Sequence, residues 1–140
     1  MRKIGFITGL DSEAKILRPL VDGDILRTAG LQTGAAERCA RDLIANGCNL
    51  LVSFGLAGGL RSTLGAGDVI VANSVIAPDG TSFAPDADMI DKLTRSLPTA
   101  QLAPIAGSDN LVADIQTKIS LRDRTGAGAV DMESHHVARC

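Results

Sequence analysis

The sequence predicts a three-layer αβα domain, an α/β fold with a mixed, mostly parallel sheet, and three observations support this prediction. Short segments that are apolar throughout alternate with segments whose apolar residues recur at helical spacing, which is typical of a parallel sheet covered on both faces. The 140 residues are 45% hydrophobic and 21% charged, as in an ordinary globular chain with room for one core. No internal repeat or low-complexity tract interrupts the sequence, so a single domain over residues 1–140 is expected.

The individual elements are predicted from apolar runs and the residues that bound them. The predicted strands share a short apolar run, and they comprise residues 3–8, 25–29, 50–54, 69–72, 102–106 and 127–132. The predicted helices share apolar spacing of three or four residues, and they comprise a segment from about residue 12, then residues 35–45, 86–97 and 114–121. Asp11 or Ser12 is expected to cap the first helix, and Pro19 limits its length. Asn46-Gly47 is a typical stop for the second helix.

Charge and composition exclude several classes of function. The net charge of −2 and a pI near 5.6, without basic runs or stacking aromatic residues, predict no nucleic-acid partner. No apolar stretch approaches the roughly 20 residues of a spanning helix, so no stable membrane insertion is expected. The N-terminal apolar run ends too early for a signal peptide, at Asp11 and Glu13. Cys39, Cys48 and Cys140 are odd in number and lack metal-ligand spacing, which favours reduced thiols in the cytoplasm.

The C-terminal end of the sequence predicts an incomplete domain. The last predicted strand is followed by residues 134–140, about two turns of a helix that has barely begun. A parallel-sheet domain usually covers its last strand. We therefore expect either a C-terminally truncated fragment that is missing its last strand or strands, or a protein that is completed by a partner.

Polar and glycine-rich groups follow four of the predicted strands. Ligands of open α/β sheets bind beyond the carboxyl ends of the strands. The groups at these ends are Glu13, Thr33-Gly34, the glycine loop at residues 55–60, and Asp131 with Glu133. Each also has a structural interpretation, since a carboxylate in a first helical turn stabilises the helix and glycines form turns. Four segments at one edge are a stronger signal for a binding site than any one of them.

Three further patterns are interpreted as structural. The glycine loop, G-L-A-G-G-L, matches neither G-x-G-x-x-G nor the G-K-[ST] of a P-loop, so alone it is a turn as readily as a site. His135 and His136 are about 100° apart on a helix, so they are expected not to chelate one metal ion and to lie at a surface or an interface. Asp109-Asn110 is interpreted as a turn. No metal site is predicted.

Four blocks of the sequence, taken together and in order, resemble a known family. The blocks are residues 3–13 (K-I-G-F-I-T-G-L-D-S-E), 54–60 (F-G-L-A-G-G-L), 67–71 (G-D-V-I-V) and 129–134 (A-V-D-M-E-S). They are similar to the blocks of the nucleoside phosphorylases and the methylthioadenosine/S-adenosylhomocysteine nucleosidases, and the likeness covers nearly the whole chain. The short middle region and the wording V-D-M-E-S-H resemble the hopanoid-associated branch, whose members are assigned to removing adenine from adenosylhopane.

The resemblance implies a role for each matching residue. Glu13 matches the carboxylate that activates the attacking water in the nucleosidases, Glu133 the carboxylate that grips the ribose hydroxyls, and Met132 the residue that packs under the sugar. Carboxylates suit this reaction because cleavage of an N-glycosidic bond builds positive charge on the ribose. The other substrate-binding residues implied by the resemblance are Gly55, Leu56, Ala57 and Gly58 at the sugar, Asp131, and Leu111 and Val112 at the base.

Two departures from the family pattern bear on the reaction. Leu56 stands where the family usually has a hydroxyl residue, and Ser53 replaces an arginine that phosphorylases often carry. A phosphate site without both donors is poorly built, so hydrolysis of an adenine nucleoside is favoured over phosphorolysis. The general acid of the family is an Asp on a strand beyond residue 140, and no residue of this chain obviously substitutes for it.

The resemblance also implies no metal, no organic cofactor, a small-molecule nucleoside as the partner, and a homo-oligomer of two or more chains. Three alternatives stay open: a nucleoside phosphorylase, an inactive truncated nucleoside-binding domain, and a plain flavodoxin-like domain. Turnover that requires phosphate would favour the first alternative, and binding without turnover would favour the second.

Overall fold

A computed structural model describes residues 1–140, and the chain packs into two compact units. The first unit comprises Met1–Leu56 with Arg139–Cys140, and the second comprises Ala57–Ala138. Both contain strands and helices in alternation, and most neighbouring strands are parallel, which confirms the predicted α/β class. No helix has the length and apolar character that crossing a membrane requires. The expectation of a single domain stays a prediction.

The first unit is a three-stranded parallel sheet with two helices. Its elements are β1 (Ile4–Thr8), α1 (Asp11–Leu17), β2 (Leu26–Thr28), α2 (Ala35–Ala45) and β3 (Leu50–Ser53), with a 3-10 turn at Gly23–Ile25. The strand order is β2-β1-β3. Ala14 and Leu17 of α1 form a buried apolar cluster with Leu26 of β2, and Leu43 of α2 is fully buried.

The register of this first sheet brings strand ends to one edge. Phe6 of β1 aligns with Leu26 of β2 and with Val52 of β3. Just past β3, the N–H of Phe54 donates to the carbonyl of Ile7 at 2.9 Å. Because the strands are parallel, the segments that follow β1 and β3 emerge at the same edge of the sheet, as a ligand site in this type of fold requires.

The second unit is a five-stranded mixed sheet with three helices. Its elements are β4 (Gly58–Gly59), β5 (Ile70–Ile76), β6 (Ser82–Phe83), α3 (Ala87–Ser96), β7 (Gln101–Gly107), α4 (Ile115–Thr125), β8 (Ala129–Asp131) and α5 (Ser134–Ala138). The strand order is β4-β8-β7-β5-β6, with parallel central strands and antiparallel edge strands. The buried apolar cluster of this unit comprises Leu60, Ala106, Leu121, Ala127 and Val130.

Most predicted elements are present, with shifts at their ends. The bounds of α2 are those predicted, because Gly47 takes a φ of 86° that stops the helix. Strand β5 continues past the predicted end at Ala72 to Ile76, because β7 pairs with it on one side and β6 on the other. Helix α4 likewise continues to Thr125 and stops at Gly126, whose φ is 69°. The two-residue strands β4 and β6 were not predicted, because two residues carry no readable period.

The predicted cap of the first helix is wrong. Leu10 precedes the helix, Asp11 is its first residue, and no side chain caps it in the predicted way. The carboxylate of Asp11 instead pairs with Arg18 and Lys15, and the hydrogen bond from Arg18 lowers the pKa of Asp11. Glu13 accepts hydrogen bonds from the N–H groups of Gly9 and Leu10, the two residues that precede the helix.

Candidate active site

Glu13 is a buried carboxylate held by backbone N–H groups. It lies in the first turn of α1, directly after β1, and only 6% of its surface is exposed. Its Oε2 accepts hydrogen bonds from the N–H groups of Gly9 at 3.0 Å and Leu10 at 2.8 Å. Its Oε1 accepts one from the N–H of Leu56 at 2.8 Å. These three donors replace the water that burial removes, so the charged carboxylate is fixed between two strand ends.

The hydrogen-bond inventory of Glu13 leaves one acceptor position open. An ionised carboxylate offers about four lone-pair positions, two on each oxygen. Gly9 and Leu10 fill both positions on Oε2, and Leu56 fills one on Oε1. The remaining position is on Oε1, where the carboxylate can accept one further hydrogen bond from a bound water or hydroxyl group.

Gly55 is required by the position of the Glu13 carboxylate. A Cβ atom at Gly55 would lie 2.7 Å from Cδ, 2.7 Å from Oε1 and 2.8 Å from Oε2 of Glu13. Those separations are below any normal van der Waals contact, so the loop approaches the carboxylate this closely only with glycine at residue 55. The sequence prediction that the glycine loop and Glu13 belong together is therefore consistent with the contacts of the first unit.

The other residues predicted in the glycine loop have different surroundings. Leu56 donates its N–H to Glu13, but its side chain is 80% exposed. Ala57 and Gly58 belong to the second unit, where Gly58 aligns with Val130 in the ladder between β4 and β8. A Cβ at Gly58 would approach Val130 Cγ1 to 3.3 Å, so the tight fit of Gly58 is explained by strand pairing.

Asp131, Met132 and Glu133 follow β8 in the second unit. The carboxylate of Asp131 accepts hydrogen bonds from the N–H of Ser134, at 3.2 Å, and from its hydroxyl group, and thereby caps α5. Met132 and Glu133 are half-buried, and the N–H of Met132 donates to Glu133 Oε2 at 3.3 Å. The cap of Asp131 thus fixes the strand-to-helix turn that carries the other two side chains.

Leu111 and Val112, predicted at the base, have opposite environments. Leu111 is among the most exposed apolar residues, whereas Val112 packs against the buried apolar cluster of the second unit. The preceding turn is closed by Ser108, whose hydroxyl donates to the carbonyl of Asn110 at 2.6 Å. Asp109 lies in this turn, as predicted.

A cleft that the sequence did not predict opens beside α4. Its volume is about 500 Å³, within the range of small-molecule sites. The polar residues that line it are Ser108, Asp109, Asn110, Gln116, Thr117, Ser120 and Arg124. Val112 lines it as well, whereas Asp131, Met132 and Glu133 are not among its lining residues. The helical period of α4 gave no signal for it, since polar residues on one side of a helix are normally a solvated face.

The predicted surface placement is wrong for His135, whereas His136 is partly exposed. Nε2 of His135 and Nε2 of His136 each lie 3.0 Å from the same oxygen, Oδ1 of Asp109, and the ring centroids are 3.9 Å apart. His135 is 2% exposed, so it is a core residue and not a surface one. The angle of 100° between neighbouring helical residues describes only the directions of their Cβ atoms. Two long side chains can still reach the same atom when that atom lies between the two directions. We call Asp109, His135 and His136 the histidine cluster.

The histidine cluster changes the electrostatics of its carboxylate. The hydrogen bond from His135 lowers the pKa of Asp109, burial opposes this shift, and the charges of the two imidazoles add to it. The ligand atoms of the three residues lie within 4.8 Å of one another, a grouping that could hold a metal ion. Sequence reasoning missed it because Asp109 is 26 residues before His135.

Comparisons with known proteins agree on one fold. The sequence model of the phosphorylase superfamily matches residues 25–140. No curated protein matches the chain. An S-adenosylhomocysteine nucleosidase from Streptococcus pyogenes, solved in complex with 5-methylthiotubericidin, is similar with a TM-score of 0.90 and 20% identity, over 98% of this chain and 76% of that one.

Two further solved structures are similar to the chain. A 5′-methylthioadenosine/S-adenosylhomocysteine nucleosidase from S. pneumoniae, solved with a transition-state inhibitor, has a TM-score of 0.88 and 20% identity, over 99% of this chain and 78% of that one. A futalosine hydrolase mutant from Helicobacter pylori has a TM-score of 0.84 and 18% identity, over 99% of this chain and 82% of that one. At these identities the likeness establishes the fold.

Proposed function

Because the chain belongs to the phosphorylase superfamily, we propose that it hydrolyses the N-glycosidic bond of an adenine nucleoside, with water as the attacking group. Membership confirms the superfamily predicted from the sequence blocks. The names of the similar solved structures support the predicted class of enzyme, a purine nucleosidase or nucleoside phosphorylase. The choice of water and the residue roles are the proposal.

The single observation that carries the proposal is the arrangement of Glu13. A residue that orients an attacking water needs a fixed, charged acceptor with a free position, and Oε1 of Glu13 provides one. Gly55, whose Cβ would lie 2.7 Å from this carboxylate, lets the loop after β3 approach Oε1 closely. Glu13 therefore accepts a hydrogen bond from the water, which it aligns for attack and helps to deprotonate.

The nucleophile is assigned from the side chains at the end of β3. Ser53 ends this strand where the family resemblance expects arginine, and the exposed Leu56 offers only its backbone N–H, which Glu13 uses. Binding of a phosphate dianion normally requires charge-assisted donors such as arginine. The absence of such donors at these two positions favours hydrolysis.

The ribose is proposed to be held by residues of the second unit. Glu133 accepts hydrogen bonds from the ribose hydroxyls and Met132 packs under the sugar, as the resemblance implies. Asp131 contributes by capping α5, which orients the turn that carries both. Ala57 and Gly58 shape the sugar site through their backbone, and Val112 with Leu111 contacts the base.

The substrate is proposed to be an adenine nucleoside. The similar nucleosidases from Streptococcus are named for S-adenosylhomocysteine or 5′-methylthioadenosine, which supports an adenine base. The more specific proposal is that the substrate is adenosylhopane, and it depends only on the short middle region and the V-D-M-E-S-H wording of the sequence. The chain is further proposed to form a homo-oligomer and to act in the cytoplasm. Its three cysteines form no disulfide, which fits a reducing compartment.

The test is release of free adenine from adenosine and from 5′-methylthioadenosine, with and without phosphate. Release without phosphate is expected, with kcat falling roughly 10²- to 10⁴-fold in Glu13→Gln because the water loses its base. Glu37→Gln is the matched control, since Glu37 is paired with Arg41 at the surface of α2. Turnover only with phosphate would establish a phosphorylase, and nucleoside binding without turnover would establish an inactive binding domain.

A further inference from the structure

The chain has two histidines, and both direct Nε2 to one oxygen of one carboxylate. We propose that the histidine cluster, Asp109 with His135 and His136, is a binding site for a divalent transition metal ion such as Zn²⁺. The site belongs to the second unit and shares no residue with the proposed reaction. It therefore uses none of the proposed catalytic or substrate-binding side chains, although the N–H of His136 donates to the carbonyl of Glu133 at 3.1 Å.

The donor set fits this class of ion. Imidazole nitrogen and carboxylate oxygen are the ligands that Zn²⁺, Co²⁺ and Ni²⁺ prefer among the side chains present here, whereas Mg²⁺ and Ca²⁺ prefer oxygen alone. All three ligand atoms lie within 4.8 Å of one another. Three protein ligands leave one position of a tetrahedral ion for water, and this position has access to solvent because the Asp109 side chain is 48% exposed.

The distances require only a limited expansion of the histidine cluster. With metal–ligand bonds of about 2.0–2.1 Å, the ligand atoms of a tetrahedral site are about 3.3 Å apart. The two separations between Nε2 and Oδ1 are 3.0 Å each, so an ion would widen them by about 0.3 Å. The imidazole centroids, now 3.9 Å apart, would have to separate by about 1 Å more.

His136 is the ring that can make this movement. Its side chain is 17% exposed, whereas that of His135 is 2% exposed. His135 is also enclosed by β7, since a Cβ atom at Gly107 would lie 2.2 Å from its Nδ1. His135 is thus a fixed ligand, and His136 rotates outward as the ion enters.

Proton positions balance without a further reactant. In the structure both Nε2 atoms lie at hydrogen-bond distance from Oδ1 of Asp109, so each is assigned its ring proton. Coordination uses the lone pair of Nε2, so a neutral ring moves its proton to Nδ1 and a charged ring releases its Nε2 proton to water. The ion then replaces two N–H···O hydrogen bonds with two metal–nitrogen bonds and one metal–oxygen bond.

The test is titration of the chelator-treated full chain with Co²⁺, followed by visible absorption, and with Zn²⁺, followed by calorimetry. One ion per chain is expected, with the intense visible bands of four-coordinate Co²⁺. Asp109→Asn and His136→Asn are expected to weaken affinity by at least about 100-fold, since even outer partners of a metal ligand change affinity 10- to 100-fold. Asp22→Asn is the matched control, because Asp22 is exposed and makes no cap hydrogen bond.

Two outcomes would overturn the proposal. One is the absence of stoichiometric binding by the wild-type chain. The other is binding that survives Asp109→Asn and His136→Asn but is lost in Cys140→Ser, which would assign the ion to the exposed thiol. Nuclear magnetic resonance gives a further readout, since Zn²⁺ must shift the signals of both imidazoles together and these are the only two in the chain.

Discussion

Replacing Gly55 with alanine would place a methyl carbon against the carboxylate of Glu13. The new Cβ would lie 2.7–2.8 Å from three carboxyl atoms, whereas carbon atoms in contact are normally about 3.5–4.0 Å from their neighbours. To remove this steric overlap, the loop at residue 55 and the carboxylate have to move apart by a distance on the order of 0.5–1 Å. The carboxylate is enclosed by the N–H groups of Gly9 and Leu10, so the contact that lengthens first is the one to Leu56 at 2.8 Å.

The expected magnitudes follow from this displacement. Loss of one hydrogen bond to a charged group costs about 1.5–3 kcal/mol, which lowers Tm by roughly 5–10 °C for a domain of this size. A misplacement near 1 Å costs on the order of 100-fold in rate. On the proposed function, kcat of Gly55→Ala falls about 100-fold while KM changes little, because Glu13 contacts the water and not the nucleoside.

The assay is adenine release without phosphate, together with thermal unfolding. Gly23→Ala is the matched control, since a Cβ at Gly23 would meet nothing within 4 Å and its φ is not left-handed. In a Glu13→Gln background, Gly55→Ala should add little further loss of kcat, because both changes act on one group. Wild-type kcat and Tm in Gly55→Ala would refute the assigned geometry, and full additivity would refute the link to Glu13.

Three further predictions concern the second unit. Gly107→Ala should lower the free energy of unfolding by about 1–3 kcal/mol and abolish Co²⁺ binding, because the new Cβ would overlap the His135 ring. A denaturant midpoint equal to that of the wild type would contradict this prediction. Asp86→Ala should lower the free energy of unfolding by roughly 0.5–2 kcal/mol, because it removes the side chain that caps the Met89 N–H. Asp86→Asn should retain most of this stability, because asparagine can accept the same hydrogen bond. Because the pKa of Asp109 is lowered in the folded chain, its ionised carboxylate stabilises the fold at pH values above 3.8, its ordinary pKa. This stabilisation is lost as the pH falls through the pKa of the folded state. Carbon-detected titration should find the pKa of Asp109 higher in His135→Asn than in the wild type.

The fold was predictable where local signals and tertiary pairing agree. The bounds of α2 follow from its apolar spacing and its glycine stop, and the structure has the same bounds. Strand β5 was predicted too short because Asn73 is a poor strand former, and pairing of residues 74–76 with β7 continues the strand past it. The strand β4 at Gly58–Gly59 has no propensity of its own and exists because β8 lies beside it.

The candidate site was predictable where it follows a strand directly. Glu13 could be located from the sequence because β1 ends a few residues before it and parallel strands place their ends at one edge. Its hydrogen bond from Leu56 could not be predicted, since Leu56 is 43 residues further along the chain. The histidine cluster was missed for the same reason, and reasoning from helix geometry alone gave the wrong answer because it ignored where Asp109 lies.

The two proposals can be tested separately at the proposed catalytic base. Glu13, Gly55 and Leu56 belong to the first unit, and the histidine cluster belongs to the second. Glu13→Gln should therefore abolish adenine release and leave Co²⁺ affinity within about two-fold of wild type, since the two sites share no side chain and no hydrogen-bond partner. His136→Asn should weaken Co²⁺ affinity and leave adenine release unchanged. A loss of Co²⁺ binding in Glu13→Gln would mean that the variant unfolds or that the ion is held elsewhere, and thermal unfolding of the same sample separates these two explanations.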